Sequence, residues 1–398
     1  MPGSVSAVGY AFTMDDVAFL RSAAGTDAVV ACADLELTDA TRLRDVRRAR
    51  ELVGEDRAAA VLETVLLRRK AASKLDLSDD WLLTDEALQQ ASPTAVAQRR
   101  AERLAGRDVH DVTCSIGSDL VPITATASRC VGSDLDEVRL AMTRHNCERA
   151  GVAPALVRAD ALRPVTRDAV VVADPARRDA RGRRRWRTDD FQPPLDALAA
   201  AYRGRDLVVK SAPGIDPDAV PWADEFEVVS LDGQVREACL WAGSVATAGR
   251  RATVLRNSGK SWSISDDEPD DCEVGEPGEW LIDPDGAVVR AGLVRHYAAR
   301  HGLWQLDERI AYLTGDEPPP GIRAFHVLEF GPYREKELRS RLRELDVGRV
   351  EILVRGLDVD PNALRPRLKL RGPAELSVVL TRIGRGPMAF LCEAKRIP

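Results

Sequence analysis

The sequence predicts an α/β protein: a doubly wound, mostly parallel sheet finished by an antiparallel hairpin, preceded by an all-α segment and followed by a small α+β domain. Three observations carry that expectation. Apolar residues recur at helical spacing up to about residue 107. From Val109 short apolar runs, each the length of a buried strand, alternate with helical stretches, as in a parallel sheet covered on both faces. The alternation then ends at two runs flanking Asp232-Gly233, a hairpin signal.

In the N-terminal segment, Thr13-Met-Asp-Asp16 and Ser92-Pro93 read as helix starts and Gly106 as a stop, and Ala58–Lys74 carries leucines and valines on a helical period. Strands are expected at Val109–Cys114, Arg129–Asp134, Ala155–Val157, Ala169–Ala173 and Asp206–Lys210, with helices such as Glu137–Ala150 and Pro194–Tyr202 between them. Glu225–Ser230 and Glu237–Trp241 form the hairpin. Residues 266–285 hold ten acids and no base, the composition of an exposed loop or linker. After Pro318-Pro-Pro320 come strand-like Ala324–Phe330, a helix from Arg334 to Leu345, and strands near Val350–Arg355, Arg367–Leu370, Leu376–Arg382 and Met388–Ala394. The expected domains are therefore 1–107 (helical), 108–262 (sheet), 263–320 (acidic connection) and 321–398 (α+β).

A chain of 398 residues has room for two or three domains. Its 44% hydrophobic and 30% charged content is that of a globular protein, and with only 5% aromatics the core must rest on Leu, Val and Ala. The net charge of -6 argues against coating nucleic acid by bulk charge, but the charge is uneven along the chain. Seven scattered cysteines with no C-x-x-C support neither a disulfide framework nor a zinc site, and no metal is expected. The first positive side chain is Arg21 and no apolar run reaches membrane-spanning length, so the expectation is a soluble cytoplasmic protein without a membrane partner.

The densest chemistry lies in Asp111-Val-Thr-Cys-Ser-Ile-Gly117-Ser-Asp119, Gly132-Ser-Asp134 and Asp160. Asp111 and Asp134 end successive strands and Asp160 follows a third, at the carboxyl edge where open α/β sheets bind ligands. Gly117 lets the backbone approach a ligand with no Cβ in the way. Asp134 can accept both ribose hydroxyls, and Asp160 can bond an adenine amine. No G-x-G-x-x-G or P-loop is present. A cradle of acids suits a ligand bearing an ammonium and a sulfonium, which describes S-adenosylmethionine. Each acid alone is an ordinary strand-end residue; order and spacing make the case.

Asp174-Pro175-Ala176-Arg177 ends the fourth strand. There an Asp can accept from a methyl acceptor and a Pro turn can aim a carbonyl at the same atom, so that catalysis is alignment. Asp174, Pro175 and Arg177 are the candidate catalytic residues, against the reading of a simple Asp-Pro turn. Seven arginines and Trp186 occupy residues 177–187. Arg178, Arg183 and Arg185 could grip phosphates and Trp186 could stack on a base; a solvated charge run is the competing reading. Residues 321–398 hold sixteen Lys/Arg against ten Asp/Glu, and Arg365, Arg367, Lys369 and Arg371 would share one face of a strand. Arg367 and Lys369 are candidate substrate contacts, or the solvent face of a sheet. The loop after the fifth strand, Lys210-Ser-Ala-Pro-Gly214, has no cysteine, and Cys114 and Cys239 read as small core residues, so a covalent thiol mechanism is disfavoured.

These residues resemble the bacterial class I S-adenosylmethionine-dependent methyltransferases with a C-terminal THUMP-like domain. The likeness covers nearly the whole chain and rests on Lys74, Gln90-Ala-Ser-Pro-Thr-Ala-Val-Ala-Gln-Arg-Arg-Ala101, the Asp111–Asp119 turn, Gly132-Ser-Asp134-Leu-Asp136, His145-Asn146 and Asp174-Pro-Ala-Arg-Arg178. The resemblance implies a Rossmann-like sheet, cofactor binding through Gly117, Asp134 and Asp160 with Asp111, Ser115 and Asp119 in the same turn, and an RNA substrate suggested by the THUMP name. One position departs from the family pattern: Ser115 replaces its first glycine and brings a hydroxyl near the methionine end of the cofactor. The expected function is direct methyl transfer to RNA. The alternatives are methylation of a small molecule or protein side chain, and a non-catalytic binding module.

Overall fold

The computed structural model describes residues 10–76, 79–177, 188–258 and 260–397. They divide into two units, Met1–Thr247 with Leu255–Lys260 and Ala248–Val254 with Ser261–Pro398. The first unit opens on six helices: α1 Met14–Leu20, α2 Ala23–Cys32, α3 Arg42–Val53, α4 Glu55–Ala71, α5 Asp85–Gln90 and α6 Thr94–Arg103. The Thr13 hydroxyl accepts from the Asp16 N–H while the Asp16 carboxylate accepts from the Thr13 N–H, so α1 starts in a reciprocal cap. Between α3 and α4, Gly54 turns the chain at φ +86°, a region costly for any residue with a Cβ.

The sheet of this unit follows in alternation: β1 Asp108–Asp111, α7 Leu120–Thr126, β2 Arg129–Asp134, α8 Glu137–Arg149, β3 Ala155–Arg158, β4 Val170–Ala173, the two-residue strands β5 Ala176–Arg177 and β6 Phe191–Gln192, α9 Leu195–Ala201, β7 Leu207–Ser211, then β8 Glu225–Leu231 and β9 Gln234–Ala242. Seven of these strands stand in the order β3-β2-β1-β4-β7-β9-β8. The first five are parallel. Strand β9 is antiparallel to β7 and to β8, the expected hairpin. Strands β4 and β7 are buried at every position, which is why both are continuous apolar runs up to Lys210.

The helical layer shares one core with the sheet's own helices: Val17, Leu20, Cys32, Val61 and Leu82 pack in the same cluster as Ile116, Leu120, Met142 and Cys147. Asn146 on α8 adds a polar seam. Its side chain accepts from the Leu82 N–H at 2.8 Å and donates to the carbonyls of Leu82 at 3.0 Å and Ile116 at 2.8 Å.

In the second unit β10 Arg250–Leu255 pairs with β11 Trp262–Ser265. Then come β12 Trp280–Ile282, α10 Gly286–Ala291, α11 Val294–His301, β13 Trp304–Gln305, β14 Leu313–Gly315, β15 Arg323–Pro332, α12 Glu335–Glu344, β16 Val347–Val354, α13 Pro361–Leu368, β17 Ala374–Ile383 and β18 Gly386–Arg396. Its sheet runs β13-β14-β12-β15-β18-β17-β16. Leu338 and Leu342 of α12 and Leu364 and Leu368 of α13 cover one face of it.

Two local expectations are corrected here. The acidic stretch 266–285 is not a loop throughout: Trp280–Ile282 pairs with β14 and β15, and Leu281 and Ile282 are fully buried. Two apolar residues suffice for a short strand, although ten acids dominate the composition around them. Arg367–Leu370 is not a strand, so Arg365, Arg367, Lys369 and Arg371 do not share a strand face. Asp360 caps a helix whose first residue is Pro361, and Leu364 and Leu368 bury themselves one turn apart. Lys369, at φ 51°, ends that helix in the left-handed region.

Candidate active site

Register builds the site. Asp111 stands beside Gly132 on β2 and Val172 on β4, while Ala173 pairs with Val209 on β7. The ends of β1, β2, β4 and β7 thus align and bring Asp111, Asp134, Asp174 and Lys210 to one edge. A cavity of about 540 Å³ opens there, lined by Thr113, Ser115, Asp134, Asp160, Asp174 and Gln192 among others. That volume lies within the range of pockets that enclose cofactor-sized ligands.

The turn after β1 is held by short bonds. The Ser115 N–H donates to Asp134 Oδ2 at 3.0 Å, and the other oxygen of Asp134 accepts from the Asp136 N–H at 2.9 Å. Ser115 takes a φ of 51° and Gly117 one of 87°. A Cβ on Gly117 would come within 3.1 Å of the Thr143 methyl, so backbone and helix α8 approach as closely as glycine allows. Asp160 keeps its loop in place by accepting from the Leu162 N–H at 2.9 Å.

Beneath the cavity floor lies a buried network of charges. Arg100 of α6, 3% exposed, donates to both Asp119 and Glu237. The Lys210 ammonium, 5% exposed, sits 2.7 Å from Asp119 Oδ2 and 2.6 Å from Asp174 Oδ2. Burial opposes ionisation of Asp119, but Arg100 and Lys210 more than offset it and hold the carboxyl below its ordinary range. Asp174 goes the other way: burial raises it, and Lys210 only partly pulls it back. Asp111 is 2% exposed, and burial with the Asp119 charge pushes its carboxyl up to about 8. The Asp174 N–H donates to the Thr113 hydroxyl at 2.6 Å, which fixes the start of the Asp-Pro turn.

Of the expected cofactor residues, Ser115, Asp134 and Asp160 line the cavity, whereas Asp111, Gly117 and Asp119 act behind its wall. Asp174 lines it; Pro175 is buried behind it, and Arg177 lies on β5 opposite Phe191. Arg178, Arg183, Arg185 and Trp186 lie outside the described residues. In the second unit Arg367 is exposed and 3.2 Å from Glu335, and Lys369 is exposed. Cys114 and Cys239 are core residues; burial pushes the Cys239 thiol up to about 12, far from a nucleophilic thiolate. Lys74 donates to the carbonyls of Leu88 at 2.8 Å and Gln89 at 3.1 Å, capping α5.

Sequence reasoning missed Lys210, Arg100, Glu237, the cavity-lining pair Arg139 and Glu86, and Gln192-Pro193-Pro194. A signal existed for one of them: a lysine closing the apolar run Leu207-Val-Val-Lys-Ser211 must bury its charge and therefore needs carboxylate partners.

A mostly parallel sheet ordered β3-β2-β1-β4-β7-β9-β8, with β9 antiparallel and acids on adjacent strand ends, defines a class I methyltransferase domain. Two relatives from Mycobacterium tuberculosis, from strains CDC 1551 / Oshkosh and ATCC 25618 / H37Rv, are each named an uncharacterized S-adenosylmethionine-dependent methyltransferase, MT3122 and Rv3037c. Each is 56% identical over 356 residues, covering 86% of this chain and 98% of the relative. The chain belongs to that family of S-adenosylmethionine-dependent methyltransferases. Residues 322–394 match the THUMP domain-like family, and residues 13–71 match a domain of unknown function (DUF8688). A crystal structure provisionally described as a methyltransferase from Porphyromonas gingivalis W83 has the same fold, with a TM-score of 0.72 and 19% identity over 93% of this chain and 98% of that one. No helix among the described residues is long and apolar enough to cross a membrane.

The enzyme's cofactor is S-adenosylmethionine, and the donor set of the cavity fits it. Carboxylates stand at the ends of β2, β3 and β4, with the small side chains of Thr113, Ser115 and Ser118 between them; the missing Cβ of Gly117 makes room for Thr143 of α8, not for a ligand.

Proposed function

We propose that the enzyme methylates a base of tRNA or rRNA by direct transfer, with no covalent cysteine intermediate. Asp134 would hold the ribose hydroxyls, Asp160 the adenine amine, and the Ser115–Gly117 turn the methionine end. S-adenosylmethionine supplies an electrophilic methyl on a sulfonium. The chain's own part is alignment: Asp174 accepts a hydrogen bond from the acceptor group, the carbonyl of the Asp174-Pro175 turn directs it, and the walls exclude water.

The observation that carries the RNA reading is the sequence position of the arginine-rich stretch between two residues that line the cavity. Ala176 and Gln192 pair across β5 and β6, and both line the cavity. In sequence, all seven arginines and Trp186 fall between these two residues, and such side chains can grip phosphates and stack on a base. The THUMP domain-like match over residues 322–394 supports the same reading. The basic surplus of the C-terminal residues does so as well.

The test is transfer of labelled methyl from S-adenosylmethionine into total RNA of a strain lacking the gene, beside wild-type RNA and an Asp174→Ala enzyme. Label should enter only RNA of the deletion strain, and only with intact enzyme. No label from a preparation that binds the cofactor would refute the RNA reading and turn attention to small-molecule and protein acceptors.

A further inference from the structure

We propose that Lys210 is a positioning residue for methyl transfer: its one ammonium holds Asp119 Oδ2 and Asp174 Oδ2 together, so Asp174 presents a single acceptor, Oδ1, to the cavity. The proposal rests on the reading of Asp174 as the group that orients the methyl acceptor.

The geometry is specific. Lys210 reaches Asp174 at 2.6 Å and Asp119 at 2.7 Å. Asp119 is itself anchored by Arg100, which also grips Glu237 on β9. A chain of buried pairs therefore runs from α6, through the residue preceding α7 and the end of β7, to the Asp-Pro turn. Lys210 and Asp119 are nearly sealed at 5% exposure each, whereas the Asp174 side chain keeps 31% of its surface exposed. One oxygen is thus committed inward, and the Asp174 N–H is fixed on Thr113. A carboxylate held at both its backbone and one oxygen has lost the freedom to rotate about its side-chain bonds. The orientation cost of presenting Oδ1 is met before the acceptor arrives.

The charges facing Asp174 come from five elements: Lys210 on β7, Asp119 before α7, Glu237 on β9, Asp111 at the end of β1 and Lys74 after α4. Three of the five are acids, and Lys210 is the cation in direct contact. Without it, only Lys74, which is not in direct contact, opposes the burial and acid neighbours that raise Asp174, and a protonated Asp174 would donate where it should accept.

The test compares wild type with Lys210→Met in three measurements: S-adenosylmethionine affinity by calorimetry, Asp174 titration by carbon-13 NMR of labelled aspartate (assigned with Asp174→Asn), and methyl transfer to total RNA from the deletion strain. Cofactor affinity should stay within about threefold of wild type. The Asp174 midpoint should move to higher pH, and kcat should fall about a hundredfold, the scale of a misplaced reacting group, with a new acid limb in its pH profile. Lys210→Arg should restore part of kcat. Should Lys210→Met fail to fold, Lys210→Gln, which keeps an amide donor, takes its place. An unmoved Asp174 midpoint would overturn the proposal, as would loss of cofactor affinity with kcat intact. If wild type leaves RNA unlabelled, the RNA reading fails alone, and the titration and binding still decide the role of Lys210.

Discussion

The Ser115 N–H donates to Asp134 Oδ2 at 3.0 Å, which ties the turn after β1 to the end of β2. One carboxylate thereby shapes the turn while it faces the cavity. Asp134→Ala should weaken S-adenosylmethionine binding by about 10- to 100-fold, the loss expected for a charge-assisted hydrogen bond plus a loosened turn. Calorimetry checks this, and an unchanged affinity would remove Asp134 from the cofactor site.

The same turn separates two glycine-like positions. Ser115, at φ 51°, already carries a Cβ in the left-handed region, so Ser115→Gly should be close to neutral for thermal stability. Gly117 has both an unfavourable φ and a neighbour at 3.1 Å. Gly117→Ala should cost about 1–3 kcal/mol by strain and overpacking, read as a lowered denaturant midpoint.

Arg100 holds two buried carboxylates. Arg100→Leu leaves Asp119 and Glu237 facing an apolar side chain and should destabilise the enzyme by about 3–5 kcal/mol. Urea unfolding measures it; a loss below about 1 kcal/mol would mean that water reaches the cluster.

Asp111 makes stability depend on pH. Its folded carboxyl titrates near 8 while an unfolded one titrates near 4, so between those values the folded state holds the extra proton. The contribution is fully present below about pH 4 and is lost as the pH rises through 8. Asp111→Asn should therefore gain on wild type as the pH goes from 5 to 8.5. Melting temperatures at the two ends decide, and a constant difference would place the Asp111 proton elsewhere.

Much of this was legible in the sequence because it is local. The alternation from Val109 to Lys210 and the hairpin at Asp232-Gly233 reappear as β1 to β4 and β7 to β9 within a residue or two at most ends, whereas the two-residue strands β5 and β6 were not expected. Asp134, Asp160 and Asp174 could be singled out because each sits at or within two residues of the end of its own strand. The buried network was not legible, since Lys210 meets Asp119 across 91 residues and Arg100 meets Glu237 across 137. Only the register of the sheet creates those neighbours. Arg367–Leu370 misled for the opposite reason: alternating bases mimic a strand, but the Asp360-Pro361 start and the Leu364–Leu368 pair obey the helical period.

The amide of Asn146 bonds both to Leu82, between α4 and α5, and to Ile116 in the turn after β1. The neighbourhood of residue 107, where the sequence changes character, is therefore a poor place to cut the gene. A recombinant sheet beginning there would lose Leu82 and Arg100, partners of Asn146 and Asp119, together. It would expose the apolar side of α7 and α8 that packs with the N-terminal helices. Grafting this catalytic sheet onto another substrate-binding module must carry the helices with it.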